Sequence, residues 1–192
     1  MITIGLTGGI GSGKSAVGSL LELYDMSVYI ADEESKQLLA SSPLIREQLT
    51  AILGSSIYDA DGLNRRLMAS LIFNDAKLLE QVNAVIHPQV ALHFKQWLSR
   101  QTATFAVLES AILFESGFNH LVDIRILVYA PCELRIKRVM ARDGITANEV
   151  IQRMQYQIPD EKKKILSDYV IYNDDTHALI PQIERWYYFN EQ

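Results

Sequence analysis

The chain has 192 residues, 48% of them hydrophobic and 21% charged, with a net charge of −5. That length buries a full core in one domain carrying insertions, and the acidic balance excludes a broad nucleic-acid-binding surface. Cys132 is the single cysteine, so an internal disulfide is excluded and a reducing, cytoplasmic setting is expected. The greasiest segments, 105–114 and 124–130, are too short to cross a bilayer and no secretory leader pattern opens the sequence, so no membrane partner is expected.

Ile2–Thr7 is an apolar run that ends in glycines, and Val17, Leu20, Leu21 and Tyr24 repeat at helical spacing after it; this predicts strand, tight loop, helix. Val28–Ile30 predicts a second strand, with Asp32 just past its end. From Glu33 to Arg100 the pattern is helical and more polar, with turn signals at Ser42-Pro43, Tyr58–Gly62 and His87-Pro88. Phe105–Leu108, Ile124–Tyr129 and Tyr169–Tyr172 read as buried strands. Residues 134–157 read as one or two helices broken near Asp143-Gly144, and Leu179–Tyr188 as a closing helix whose Trp186, Tyr187, Tyr188 and Phe189 pack into the core. Five short apolar strands alternating with helices predict an α/β fold, a five-stranded parallel sheet with helices on both faces. The expected division is a core at 1–32, 101–131 and 167–192, a helical arm at 33–100 and a lid at 132–166, all one domain.

Gly8-Gly9-Ile10-Gly11-Ser12-Gly13-Lys14-Ser15 fits G-x-x-x-x-G-K-[ST] between a predicted strand and a predicted helix. Glycines let successive N–H groups turn inward as a nest for phosphate oxygens, and the positive end of the following helix faces the same anion. Lys14 then supplies a point charge for the β- and γ-phosphates and the Ser15 hydroxyl a ligand for Mg²⁺. Chance produces such a match about once in 150 chains of this length, and the strand–helix context is what distinguishes the loop from an incidental glycine turn. The nucleotide-binding set is therefore Gly8, Gly9, Gly11, Ser12, Gly13, Lys14, Ser15 and Ala16.

No Asn-Lys-x-Asp guanine reader accompanies the loop, and Asp59–Gly62, which fits D-x-x-G, lies in a polar stretch and reads as a turn. Eight of the 18 basic residues fall between Arg135 and Lys164. Lys162–Lys164 is expected to be a solvated helical face, and the arginines are candidates for an anion site over the transferring phosphate. A small-molecule kinase follows from the loop, the size and these arginines.

The chain resembles the dephospho-CoA kinase family over nearly its whole length. The likeness is carried by Gly5–Ser15, by Ala31-Asp32 where the family has Asp-Ala-Asp, and by the segment with Arg65, Leu67 and Phe73. It continues through His87-Pro88, Leu113-Phe114-Glu115 and the spacing of Arg135, Arg138, Arg142, Arg153, Gln157, Asp168 and Asn173. Ile30 replaces the first aspartate, Lys36 an arginine, and Ala111-Ile112 a proline and a leucine. The resemblance implies a P-loop kinase that phosphorylates the ribose 3′-hydroxyl of dephospho-CoA from ATP–Mg²⁺, as a monomer or weak homo-oligomer. Another nucleoside or nucleotide kinase, or a nucleotide-binding regulator without turnover, is the alternative.

The resemblance gives Asp32 the role of base for the acceptor hydroxyl; an aspartate before a helix is also a common N-cap. It gives Arg142, with Arg138 beside it one helical turn earlier, contact with ATP phosphates; surface salt bridges are the other reading. Lys36 and Arg65 are candidates for the acceptor pyrophosphate. His87, at an expected helix break before Pro88, either contacts the substrate or bonds locally. Glu109 either acts on Mg²⁺ through water or caps structure, and Asn173 either lies in an adenine-contacting loop or serves a turn.

Overall fold

The computed structural model describes residues 1–59, 62–72 and 75–190, the side chains of 189 and 190 excepted. Two units divide the chain, one formed by Met1–Ile30 with Gln101–Gln192 and the other by Ala31–Arg100.

The first unit is built on a parallel sheet. Its strands are β1 (Ile2–Thr7), β2 (Ser27–Ile30), β5 (Phe105–Glu109), β6 (Ile124–Tyr129) and β7 (Tyr169–Tyr172), in the order β2-β5-β1-β6-β7. Ile4 pairs with Val107 on one side and Ile124 on the other. The strand order therefore reverses at β1, and open α/β sheets place their ligands beyond the strand ends at such a point. The expected alternation and parallel sheet are present, β2 and β5 each one residue longer than predicted.

Helix α1 (Lys14–Glu22) lays Val17 and Leu21 on the sheet beside Ile4, Leu6, Val107, Ile126 and Val128. The closing helix α9 (Leu179–Asn190) adds Ile183 and Trp186 to the same cluster. Each such aliphatic side chain contributes about 1.5–3 kcal/mol on burial. Trp186 meets Phe105 edge-on at 5.7 Å and Tyr187 meets Tyr24 at 5.3 Å, so core packing holds for both. Tyr188 is instead 56% exposed, and the Phe189 side chain lies outside the described residues.

After β6 come α6 (Cys132–Asp143), α7 (Ala147–Met154) and α8 (Asp160–Leu166). Gly144, at φ 67°, ends α6 in the left-handed conformation at the expected break. Thr146 and Glu149 then form a reciprocal capping box that starts α7. The helical character expected at Lys162–Lys164 is present as α8, whose start is marked by an acidic first turn, Asp160 and Glu161, after Pro159. Cys132 is exposed and unbridged.

The second unit is helical: α2 (Ala31–Ser41), α3 (Pro43–Leu53), α4 (Arg65–Ile72) and α5 (Ala76–Leu98), with a hairpin of β3 (Tyr58–Asp59) and β4 (Gly62–Leu63). Ser42 caps α3 by accepting the Ile45 N–H, and Pro43 opens the helix, as its fixed φ favours. Asp59 pairs with Gly62 across the hairpin; residues 60 and 61 of the expected turn, and Phe73, lie outside the described residues. The expected helix break at His87-Pro88 does not occur, because α5 runs through Pro88. Proline removes one hydrogen bond and crowds the preceding turn. Against that, Val82, Ile86, Val90 and Phe94 recur every fourth residue and are all buried, so packing carries the helix across. Trp97 stacks on Phe94 with centroids 6.0 Å apart.

Candidate active site

The loop between β1 and α1 is shaped by its own backbone first. Ser12 N–H donates to the Gly9 carbonyl at 3.0 Å, which folds residues 9–12 into a turn. Gly11 and Gly13 have φ of 81° and 88°, where glycine carries no Cβ penalty. Gly13 also permits close approach: a Cβ there would overlap Asn173 Nδ2, which donates to the Ser12 carbonyl at 2.8 Å. The Ala16 and Val17 N–H groups both donate to the Gly13 carbonyl, at 3.1 and 3.2 Å, which starts α1 directly at the end of the loop.

Lys14 Nζ donates to the Gly8 carbonyl at 3.1 Å, placing its charge over the loop. The hydroxyls of Thr7 and Ser12 are buried and without a hydrogen-bond partner, which suits donors meant for phosphate oxygens. Ser15 Oγ donates to Glu109 Oε1 at 3.1 Å, and Glu109, at the end of β5, is 6% exposed. A hydroxyl and a carboxylate are hard oxygen donors, fit for Mg²⁺ that takes its remaining ligands from phosphate and water. Among the described residues, no group of three or more His, Cys, Asp or Glu is arranged to hold a metal ion.

The arginines divide into distinct settings. Arg135, 8% exposed, lies against the loop; its Nη1 donates to the Ile10 carbonyl at 3.3 Å and its Nη2 pairs with Asp160 at 2.6 Å. Arg138 donates to the Asn173 carbonyl at 3.0 Å and pairs with Asp175 at 2.6 Å. Arg142, at the end of α6, pairs with Asp143 at 2.7 Å, and Arg153 shares that carboxylate at 3.0 Å. Both cations hold the Asp143 carboxyl below its ordinary range, Arg142 contributing more.

Asn173 is thus bonded at three points: its side chain to Ser12, its carbonyl to Arg138, and its N–H to the Tyr129 carbonyl at 2.8 Å. The next residue, Asp174, closes the turn by accepting from Thr176 and His177, and these bonds depress its carboxyl strongly.

In the helical unit, Asp32 is the second residue of α2, so it lies inside the first turn and not at the cap position before it. A carboxylate there faces the positive end of the helix. Lys36 follows one turn later on the same face, and both are exposed. Arg65 is the exposed first residue of α4, after Asn64, which caps the helix by accepting the Leu67 N–H at 3.0 Å. His87 is partly buried in α5, and that burial lowers its pKa from 6.5.

Four residues at the foot of the loop had no site role in the sequence reading, although Gln157 and Glu115 carried part of the resemblance. Gln157 Oε1 accepts the Ile10 N–H at 2.9 Å, and Asp160 holds Arg135. Lys163 donates to the Ala111 carbonyl at 2.7 Å and pairs with Glu115 at 3.1 Å; Glu115 also accepts the Ile158 N–H at 2.8 Å. The expectation of a solvated face over Lys162–Lys164 is therefore wrong at its centre, because Lys163 is fully buried. The signal for it was a carboxylate, Glu115, awaiting a partner in the segment after β5.

The sequence profile of the dephospho-CoA kinase family matches residues 2–178. The chain belongs to the dephospho-CoA kinase family. Among dephospho-CoA kinases, that of Bacteroides fragilis is 45% identical over 183 residues, covering 95% of this chain and 89% of its own. A crystal structure from Thermus thermophilus superposes with a TM-score of 0.83 at 34% identity, covering 98% of this chain and 95% of that one. The dephospho-CoA kinase of Campylobacter jejuni, 23% identical, shares the fold with a TM-score of 0.69, covering 98% and 97% of the two chains. The family and the P-loop α/β kinase fold expected from the sequence both hold. Within the described residues, no helix of this family member is long and apolar enough to cross a membrane.

Proposed function

We propose that this chain transfers the γ-phosphoryl group of ATP to the ribose 3′-hydroxyl of dephospho-CoA, with Asp32 as the acceptor base and Lys14 and Arg142 compensating charge. ATP-dependent phosphorylation of dephospho-CoA, the last step of coenzyme A synthesis, is the reaction of the family to which the chain belongs. The observation that carries the reading is the loop at Gly8–Ser15, closed below by the Ser15–Glu109 contact at 3.1 Å, within a chain matched by that family over residues 2–178.

Phosphoryl transfer asks little covalent chemistry of a protein and much positioning. Inward N–H groups, Lys14 and the hydroxyls of Thr7 and Ser12 hold the β- and γ-phosphates. Ser15, with Glu109 behind it at 3.1 Å, would hold Mg²⁺, which would supply compensation for the negative charge of the phosphates. Arg142 exchanges Asp143 for the transferring phosphate, while Arg138 and Asn173 border the nucleotide. Asp32 accepts the proton of the 3′-hydroxyl, and Lys36, Arg65 and His87 bind the rest of the acceptor. Its substrates are small molecules, and a monomer or weak homo-oligomer in the cytoplasm serves the reaction, without a nucleic-acid or membrane partner.

A panel of acceptors incubated with ATP and read by mass tests the assignment. Dephospho-CoA should gain one phosphate, on the 3′-oxygen, far faster than adenosine or AMP. Equal or better turnover of a plain nucleoside or nucleotide overturns it.

A further inference from the structure

Ile10, the residue at the outer bend of the phosphate loop, is gripped on both sides by the segment that follows β6. Its N–H donates to Gln157 Oε1 at 2.9 Å, and its carbonyl accepts from Arg135 Nη1 at 3.3 Å. These two atoms belong to successive peptide planes, so together the contacts fix the orientation of the turn whose inner face presents N–H groups. Each grip is itself held. Arg135 is fastened by Asp160 at 2.6 Å, with side chains only 10% and 12% exposed. Gln157 Nε2 reaches the Ala111 carbonyl at 3.4 Å, the oxygen that also accepts from buried Lys163 at 2.7 Å. Gly9 is required here, because a Cβ at that position would overlap Arg135 Nη1.

We infer that Gln157 and Arg135 are positioning residues for the phosphate loop, holding Ile10 from outside so that the loop's N–H groups converge before ATP arrives. The inference rests on the nucleotide-binding reading given above. Neither residue needs to touch the nucleotide. A loop released from this clamp must be ordered at the moment of binding, and that cost falls on ATP affinity. A net hydrogen bond of ordinary strength corresponds to a factor of about five in affinity, and one to a charged group to about ten or more. The Ser15–Glu109 contact and the residues of the helical unit are untouched by its loss.

The experiment measures affinity for a non-hydrolysable ATP analogue by calorimetry, and the KM for each substrate, in Gln157→Ala, Asp160→Asn and the double variant. Each single change should weaken nucleotide binding about fivefold to tenfold while the KM for dephospho-CoA stays at the value of the unsubstituted chain. The double variant should lose less than the product of the two, since both changes release the same turn. Thr146→Ala, which breaks the capping box of α7, controls for general destabilisation: it should lower Tm and leave ATP affinity alone. If Gln157→Ala fails to fold, Gln157→Met keeps the volume, removes both hydrogen bonds and serves in its place. Unchanged nucleotide affinity in the single variants, or a loss tracking Tm equally in Thr146→Ala, overturns the clamp. Transfer to dephospho-CoA by the unsubstituted chain tests the reaction separately, and the analogue affinities decide the clamp whichever way that result falls.

Discussion

Gly13 lies so closely beneath Asn173 that a single added carbon at residue 13 would overlap the asparagine's amide nitrogen. That amide holds the Ser12 carbonyl at 2.8 Å, so the last strand's loop fixes the far end of the phosphate cradle. Gly13→Ala therefore meets two obstacles, the overlap and a φ of 88°, the latter alone costing about 1–3 kcal/mol. The variant should stay folded by circular dichroism and lose ATP binding in calorimetry. ATP affinity equal to that of the unsubstituted chain would show that the contact is incidental.

Asp32, exposed in the first turn of α2, tests the chemistry. Asp32→Asn keeps size and helix position but removes the proton acceptor. Turnover should fall by roughly 10²–10⁴ with ATP affinity preserved, the range of a positioned acid–base group. A fall in ATP binding without a fall in turnover at saturation would make Asp32 a structural residue.

Lys163 tests the foundation. It is fully buried and its ammonium is 3.1 Å from Glu115. Lys163→Met strands that carboxylate, and urea unfolding should show a loss of about 3–5 kcal/mol. Adding Glu115→Gln removes the stranded charge while keeping an acceptor for the Ile158 N–H, so the double variant should recover at least half of the loss. No recovery would mean that the lysine acts through packing.

His87 gives the helical unit a pH dependence of known sign. Burial lowers its pKa from 6.5, so the unfolded chain takes up the proton first as pH falls. The stability it contributes is complete above that ordinary value and erodes as pH drops through it towards the lower folded value. Tm should fall more between about pH 7.5 and pH 5.5 in the unsubstituted chain than in His87→Gln. Identical pH slopes would remove His87 from the account.

The phosphate loop was legible because its chemistry is written in eight consecutive residues, and the sheet because its strands are short apolar runs. Ile10's two partners were not legible as such: Gln157 and Arg135 stand 147 and 125 positions away, and nothing local to a glutamine says which N–H it will accept. Lys163 was misread for a related reason, since a run of three lysines looks solvated until a buried carboxylate is found opposite one of them. Pro88 was misread because a local breaker signal was weighed without the four apolar residues that bury one face of α5 on either side of it.

The chain's two tryptophans fall one to each unit: Trp186 under the sheet against Phe105, and Trp97 on α5 against Phe94. The protein thus carries two built-in optical reporters in separate places. Replacing either by phenylalanine leaves one tryptophan, so a pair of single-tryptophan chains, excited where the tyrosines do not absorb, can follow the melting of the sheet and of the helical arm independently, without any attached label.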